Sequence, residues 1–190
     1  MSNELYTHNE YLLRRKVLTF AGAKFHIYDP DGNLAFYSKM KAFKLKEDIR
    51  VYHDEEMQQE LLLIQARSVI DFSATYDVFD QTTGEKIGAY RRKGLKSMLQ
   101  DEWLVMDAND NEVGLVKEDS TLLALVRRFV ANIIPQTFHA TIAGQQVWSF
   151  KQNFNPFVHK IKVSFHDPNF EKRMGIAGAI LLAAIEGRQK

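Results

Sequence analysis

Residues 174–185 read Met-Gly-Ile-Ala-Gly-Ala-Ile-Leu-Leu-Ala-Ala-Ile, a run without a charged side chain. A helix that is apolar on every side must be buried on every side, either in protein or in a membrane. The run is shorter than the roughly 20 apolar residues that span a bilayer core, which favours burial in protein. Small side chains recur every four residues, at Gly175, Ala179, Ala183 and Gly187. Such a ridge would pair helices in a membrane, but it also suits a helix packed inside a narrow barrel, which we predict here.

The rest of the chain repeats one pattern, in which an apolar strand, a turn rich in Asp, Asn and Gly, and a second strand follow each other. The pattern predicts four hairpins, at residues 25–38, 74–90, 103–116 and 138–150. Further extended segments are expected at residues 42–52, 60–67 and 157–165. Between the first two, residues 54–60 could form a short helical turn. A second helix is predicted at residues 120–134, between Ser120 as N-cap and Pro135. The fold class is therefore mainly β, a closed antiparallel barrel of about twelve strands that encloses the C-terminal helix.

Composition limits the possible functions. The chain has 190 residues, which predicts a single domain over residues 1–190. Its formal net charge is +1, so no global charge favours nucleic acid or membranes. It has no cysteine, which excludes disulfides and thiolate metal sites. The first residues lack the pattern of a signal peptide, and we expect a cytoplasmic protein.

Several stretches resemble one family. They are the hairpin at 25–36 with Tyr-Asp-Pro-Asp-Gly-Asn at 28–33, Leu-Leu-Leu-Ile at 61–64, Thr-Tyr-Asp-Val-Phe-Asp at 75–80, and the Trp-Leu-Val strand at 103–105. Together they resemble the tubby C-terminal-like superfamily, and most closely its LURP-one-related and phospholipid scramblase-like members, over roughly residues 11–185. The resemblance implies a closed barrel around a central apolar helix.

The resemblance also suggests functions. Tubby-like members bind phosphoinositide headgroups, scramblases are attached to membranes, and many LURP-one-related proteins have no settled biochemical role. The chain lacks the Cys cluster and the Pro-rich N-terminal segment of scramblases, so stable membrane attachment is not expected.

Basic clusters are the strongest candidates for a binding site. They are Arg14, Arg15 and Lys16; Lys39, Lys41, Lys44 and Lys46; and Arg91, Arg92 and Lys93 with Lys96. The last two clusters are our candidate lipid-headgroup residues, since cations near an anionic surface attract it. The alternative is that they are solvated charges that protect strands from aggregation. Lys44 and Lys46 share a face with Lys39 only if a β-bulge intervenes.

Other chemistries have little support in the sequence. The acidic turns that begin at Asp29 and Asp107 lack the Gly and Glu spacing of a calcium loop and are explained by turn chemistry. The histidines lack metal-ligand spacing, and the common catalytic and phosphate-binding motifs are absent. We therefore predict no enzyme, no metal and no cofactor.

Three functional hypotheses follow. The first is a non-enzymatic cytoplasmic module, peripheral to a membrane, that binds anionic phospholipid or phosphoinositide headgroups. The second is a soluble scaffold that binds protein partners and no lipid. Under both hypotheses, nucleic acid is not expected as a partner. The third is a small-molecule carrier, which is disfavoured because the helix would fill the cavity that a ligand needs.

Overall fold

A computed structural model describes residues 2–18, 22–40, 48–67, 74–93, 102–119, 136–153 and 159–186. The helix predicted at residues 120–134 and the first part of the segment predicted at 42–52 lie outside these described residues.

The described residues form a closed antiparallel barrel, as the sequence predicts. Its strands are β1 (Glu10–Leu18), β2 (Gly22–Tyr28), β3 (Leu34–Met40), β4 (Ile49–Tyr52), β5 (Glu60–Ala66), β6 (Thr75–Asp80), β7 (Lys86–Arg92), β8 (Glu102–Met106), β9 (Glu112–Glu118), β10 (Thr137–Ile142), β11 (Gln145–Gln152) and β12 (His159–Phe165). Each strand pairs with the next one along the chain, and β12 pairs with β1 to close the barrel. Closure leaves no unpaired edge among these twelve strands.

Three details differ from the sequence prediction. Strand β1 has no counterpart among the predicted extended segments. A short 3-10 helix, Ser2–Tyr6, precedes β1 and was not expected. Between β4 and β5 the chain makes bends and a turn instead of a helical turn, and Met57 there has a φ of 58°. The side chain of Asp54 accepts a hydrogen bond from the backbone N–H of Glu56 at 3.0 Å, which is typical of an Asx turn.

The C-terminal helix α1 (Lys172–Glu186) occupies the barrel interior. Every residue from 174 to 185 is buried, and aromatic residues of the strands pack against the helix. An added Cβ would lie 2.2 Å from a ring atom of Phe165 at Gly175, and 2.6 Å from the Tyr90 hydroxyl at Gly178. The small residues of the sequence pattern therefore allow the helix to approach the wall closely. Within the described part of the chain, the structure contains no helix with the length and apolar character needed to cross a membrane.

Polar contacts hold the first turn of α1 at the barrel rim. The Arg173 guanidinium pairs with Glu171, at 2.6 Å between Nη2 and Oε2, and with the carboxylate of Asp80 at the end of β6. Asp80 also accepts hydrogen bonds from the backbone N–H and the hydroxyl of Thr82 at 2.7 and 2.6 Å. Deeper inside, the Tyr90 hydroxyl donates to the carbonyl of Met174 at 2.7 Å.

These contacts predict acid sensitivity. Desolvation alone would raise the pKa of Asp80, but hydrogen bonds from Thr82 and Arg173 outweigh it and lower that pKa. The Arg173 hydrogen bond also lowers the pKa of Glu171. Both carboxyl groups have a lower pKa in the folded state than in the unfolded state. Their stabilisation is therefore present above about pH 4.5 and is lost as the pH falls through the folded pKa values.

Replacing Asp80 by Asn should therefore lower the melting temperature at pH 7 and flatten its decline towards pH 3. The expected loss at pH 7 is about 1–3 kcal/mol, because a hydrogen-bonded charge at a buried position is removed. Thermal denaturation at both pH values measures the effect. Asp31→Asn, a change of an exposed acid in the β2–β3 turn, is the matched control. If the melting temperature of the Asp80→Asn protein fell towards pH 3 as steeply as that of the wild type, Asp80 would not be a source of the acid sensitivity.

Candidate anion-binding face

Seven cations lie on the outward side of five adjacent strands, β11, β12, β1, β2 and β3. We call them the basic face: Arg14, Lys16, Lys24, Lys39, Lys151, Lys160 and Lys162. Alternation along the strands explains the arrangement, since neighbouring residues such as Leu13 and Val163 are buried in the core.

The strand register places these cations opposite one another. Arg14 of β1 is the cross-strand partner of Lys160 of β12. Lys151 and Lys162 are opposite each other across β11 and β12. A continuous row runs over three strands, with Lys16 opposite Lys24 and Lys24 opposite Lys39. Like charges in directly opposite positions destabilise a sheet, so this face carries an electrostatic cost.

Few carboxylates compensate this charge. Lys162 pairs with Glu10 at 2.6 Å, and Lys24 pairs with Glu55 at 3.5 Å. Glu55 also lies 3.1 Å from Nε2 of His26, and its contacts with His26 and then Lys24 lower its pKa. The remaining five cations of the face have no ion pair within the described part of the chain: Arg14, Lys16, Lys39, Lys151 and Lys160.

The barrel wall forms an outer groove beside this row, with a volume of about 660 Å³. Four cations of the basic face line it, namely Arg14, Lys151, Lys160 and Lys162. Its other lining residues are Glu10, Tyr11, Leu12, Tyr28, Asp29, Pro30, Gly32, Gln152 and Asn153. The Arg14 guanidinium lies over the Tyr28 ring, 4.7 Å from its centroid, which orients the arginine.

The candidate residues of β7 lie on a different part of the wall. Arg91 faces outward and forms an ion pair with Glu112. Lys93 pairs with Glu102 at 3.4 Å, and Lys117 pairs with the same carboxylate at 3.2 Å. Arg92 lies with its guanidinium 5.8 Å from the centroid of the Trp103 ring. Carboxylates of neighbouring strands thus balance much of the charge of this predicted cluster.

A charge network continues on this side of the barrel. Arg67 and Lys86 both contact Asp77, at 2.6 and 3.0 Å, and both contact Asp110. Hydrogen bonds from Arg67 and then Lys86 lower the pKa of Asp110. Desolvation would raise the pKa of Asp77, but the same two cations outweigh it and hold that pKa low. We call this side, with Arg91, Lys93 and Lys117, the paired wall.

The structure brings only part of the predicted site together. Lys39 joins the basic face through its position opposite Lys24. Its sequence neighbours Lys41, Lys44 and Lys46 lie outside the described residues, as does Lys96. Their role remains a prediction.

Sequence reasoning missed four members of the basic face. Lys24 and Lys151 are isolated in the sequence, and Lys160 and Lys162 appear there only as the polar side of an alternating strand. The register that places Lys160 opposite Arg14 depends on the pairing of β1 with β12, at opposite ends of the chain. Lys24 joins the face through the pairing of β2 with β1 and β3.

The acidic turns form as the turn interpretation predicts. Asp29 accepts hydrogen bonds from the backbone N–H and side-chain amide of Asn33 at 2.8 and 3.1 Å. Asp107 accepts corresponding bonds from Asn111 at 2.9 and 2.8 Å. Among the described residues, no group of three or more His, Cys, Asp or Glu is placed to hold a metal ion.

Comparison with known protein families identifies a relationship. A model of a family described as LURP-one-related matches residues 34–177. That range runs from the start of β3 into α1 and covers most of the barrel. No curated protein and no solved structure matches the chain.

Proposed function

This chain belongs to the LURP-one-related family of the tubby-like superfamily, and on that premise we propose that it is a non-enzymatic binding module for anionic phospholipid. In this proposal the basic face meets the headgroups at a membrane surface. The barrel stays folded and peripheral, with α1 inside it.

One observation carries the proposal, namely the cross-strand row of Lys16, Lys24 and Lys39. Within the described residues, only Lys24 of this row has an ion pair, with Glu55 at 3.5 Å. Cross-strand pairs of like charge cost stability in the isolated protein. An anionic surface would convert that cost into attraction. The paired wall provides the contrast, because its cations already contact Glu102, Glu112 and other carboxylates.

The expected energy is adequate for reversible binding. Each cation near an anionic membrane contributes about 1 kcal/mol, and the attraction decays within a Debye length of about 8 Å at physiological salt. Several cations of one face can act together only if they reach the same plane. Adjacent strands of one sheet lie about 4.8 Å apart, which keeps Lys16, Lys24 and Lys39 close enough to do so.

Sedimentation with vesicles tests the proposal. The protein should pellet with phosphatidylcholine vesicles that contain phosphatidylserine or a phosphoinositide, and not with phosphatidylcholine alone. Raising the salt concentration should weaken the binding, because the attraction is electrostatic. Absence of binding at low salt to every anionic vesicle would contradict the proposal and leave a protein-interaction scaffold as the alternative.

A further inference from the structure

The outer groove differs from the rest of the basic face because it is concave. A flat row of lysines suits a membrane plane, but a groove of about 660 Å³ has the size of a small-molecule site. It lies on the outside of the wall, so α1 does not occupy it. The helix therefore excludes a small molecule from the barrel interior but not from this outer groove.

One end of the groove is suited to a strongly charged anion. Arg14 and Lys160 are opposite each other across β1 and β12, and Lys151 lies on the next strand. None of the three has an ion pair within the described residues. Stacking of the Arg14 guanidinium on Tyr28 limits its motion, which reduces the entropy lost on binding.

The rest of the groove can accommodate the uncharged part of a ligand. Leu12 and Tyr28 are cross-strand partners, and Pro30 continues the apolar lining. The carboxylates of Glu10 and Asp29 lie in the same groove and can accept hydrogen bonds from hydroxyl groups. These acids would repel a second anionic group, so the anion belongs at the end with Arg14, Lys151 and Lys160.

We propose that the outer groove binds a phosphate monoester carried on a polyol or sugar ring. A monoester carries a charge of about −1.5 to −2 and three acceptor oxygens, which match three cations lining one groove better than a single carboxylate would. Its ring would pack on Leu12 and Tyr28, and its hydroxyl groups would face Glu10 and Asp29. The phosphorylated ring belongs either to a soluble sugar phosphate or to a lipid headgroup, and only the second source rests on the proposed function.

Titration calorimetry with glucose 6-phosphate, inositol monophosphate and unphosphorylated glucose tests the groove without a membrane. We expect at least one phosphorylated probe to bind at least tenfold more tightly than glucose. Arg14→Gln combined with Lys160→Gln should weaken that binding at least tenfold. Lys16→Gln combined with Lys39→Gln removes the same charge outside the groove and should leave it within about twofold.

Two results would overturn the inference: neither phosphorylated probe binds better than glucose, or the two double variants lose affinity equally. Since Arg14 and Lys160 repel each other, their replacement should not lower the melting temperature, which a thermal scan checks.

A competition experiment then shows whether the phosphorylated ring belongs to a soluble sugar phosphate or to a lipid headgroup. If the groove binds a lipid headgroup, vesicles containing phosphatidylinositol 4-phosphate should displace the bound soluble probe. If its ligand is soluble, these vesicles should not displace the probe. If the wild-type protein binds the soluble probe but no anionic vesicle, that result contradicts only the membrane proposal. If the wild-type protein binds anionic vesicles but neither phosphorylated probe, that result contradicts only the groove.

Discussion

Replacing Gly178 by Val should destabilise the barrel by about 3 kcal/mol or more, the upper part of the range for overpacked cores. Even the first carbon of the new side chain would lie 2.6 Å from the Tyr90 hydroxyl and 3.1 Å from Trp148. Tyr90 cannot move away freely, because it is buried and its hydroxyl donates to Met174 in the same helix. For a domain of this size we expect the melting temperature to fall by about 6–12 °C.

A graded series makes this prediction specific. Gly178→Ala should have a smaller effect than Gly178→Val, and Ala108→Val in the exposed β8–β9 turn should have little effect. Ala183→Trp, farther along α1, should also lower the melting temperature sharply because Ala183 is buried. Unchanged melting temperatures for Gly178→Val and Ala183→Trp would show that the helix is not inside the barrel.

The architecture could be predicted because its main signals are local. The uncharged run at 174–185 requires burial on all sides, and the hairpin turns mark where strands reverse. The ridge of small residues indicated close packing, and Gly175 lies where only a hydrogen atom fits beside Phe165. The 3-10 helix Ser2–Tyr6 lacked such a signal, since its position depends on distant contacts such as that of the Tyr6 ring with the tilted ring of Phe36, whose centroids are 4.9 Å apart.

The candidate site could be predicted only in part because its signal is not local. A run such as Arg91, Arg92 and Lys93 is conspicuous in the sequence, yet alternation sends its members to different sides of the wall. The carboxylates that balance Arg91 and Lys93 come from β8 and β9. Conversely, Lys24 is inconspicuous in the sequence and acquires its importance from Lys16 and Lys39 on the strands beside it.

Changing Lys16, Lys24 and Lys39 together to Gln should weaken binding to anionic vesicles about a hundredfold. Three cations at about 1 kcal/mol each account for about 3 kcal/mol of attraction. The same change removes two like-charge pairs, each of which costs a few tenths of a kcal/mol or more. The change also removes the surface Lys24–Glu55 ion pair, which contributes little to stability. The melting temperature should therefore stay nearly the same or rise while binding is lost, and vesicle sedimentation and a thermal scan measure the two effects separately.

The matched control is Arg91→Gln, Lys93→Gln and Lys117→Gln on the paired wall, which lowers the net charge equally. These cations are already engaged with Glu112 and Glu102, so their removal should leave vesicle binding nearly unchanged and should not raise stability. If the control loses binding and the Lys16, Lys24 and Lys39 variant retains it, the β7 cluster predicted from sequence is the headgroup site. Equal losses would indicate that only net charge matters, because a localised site requires the two walls to differ.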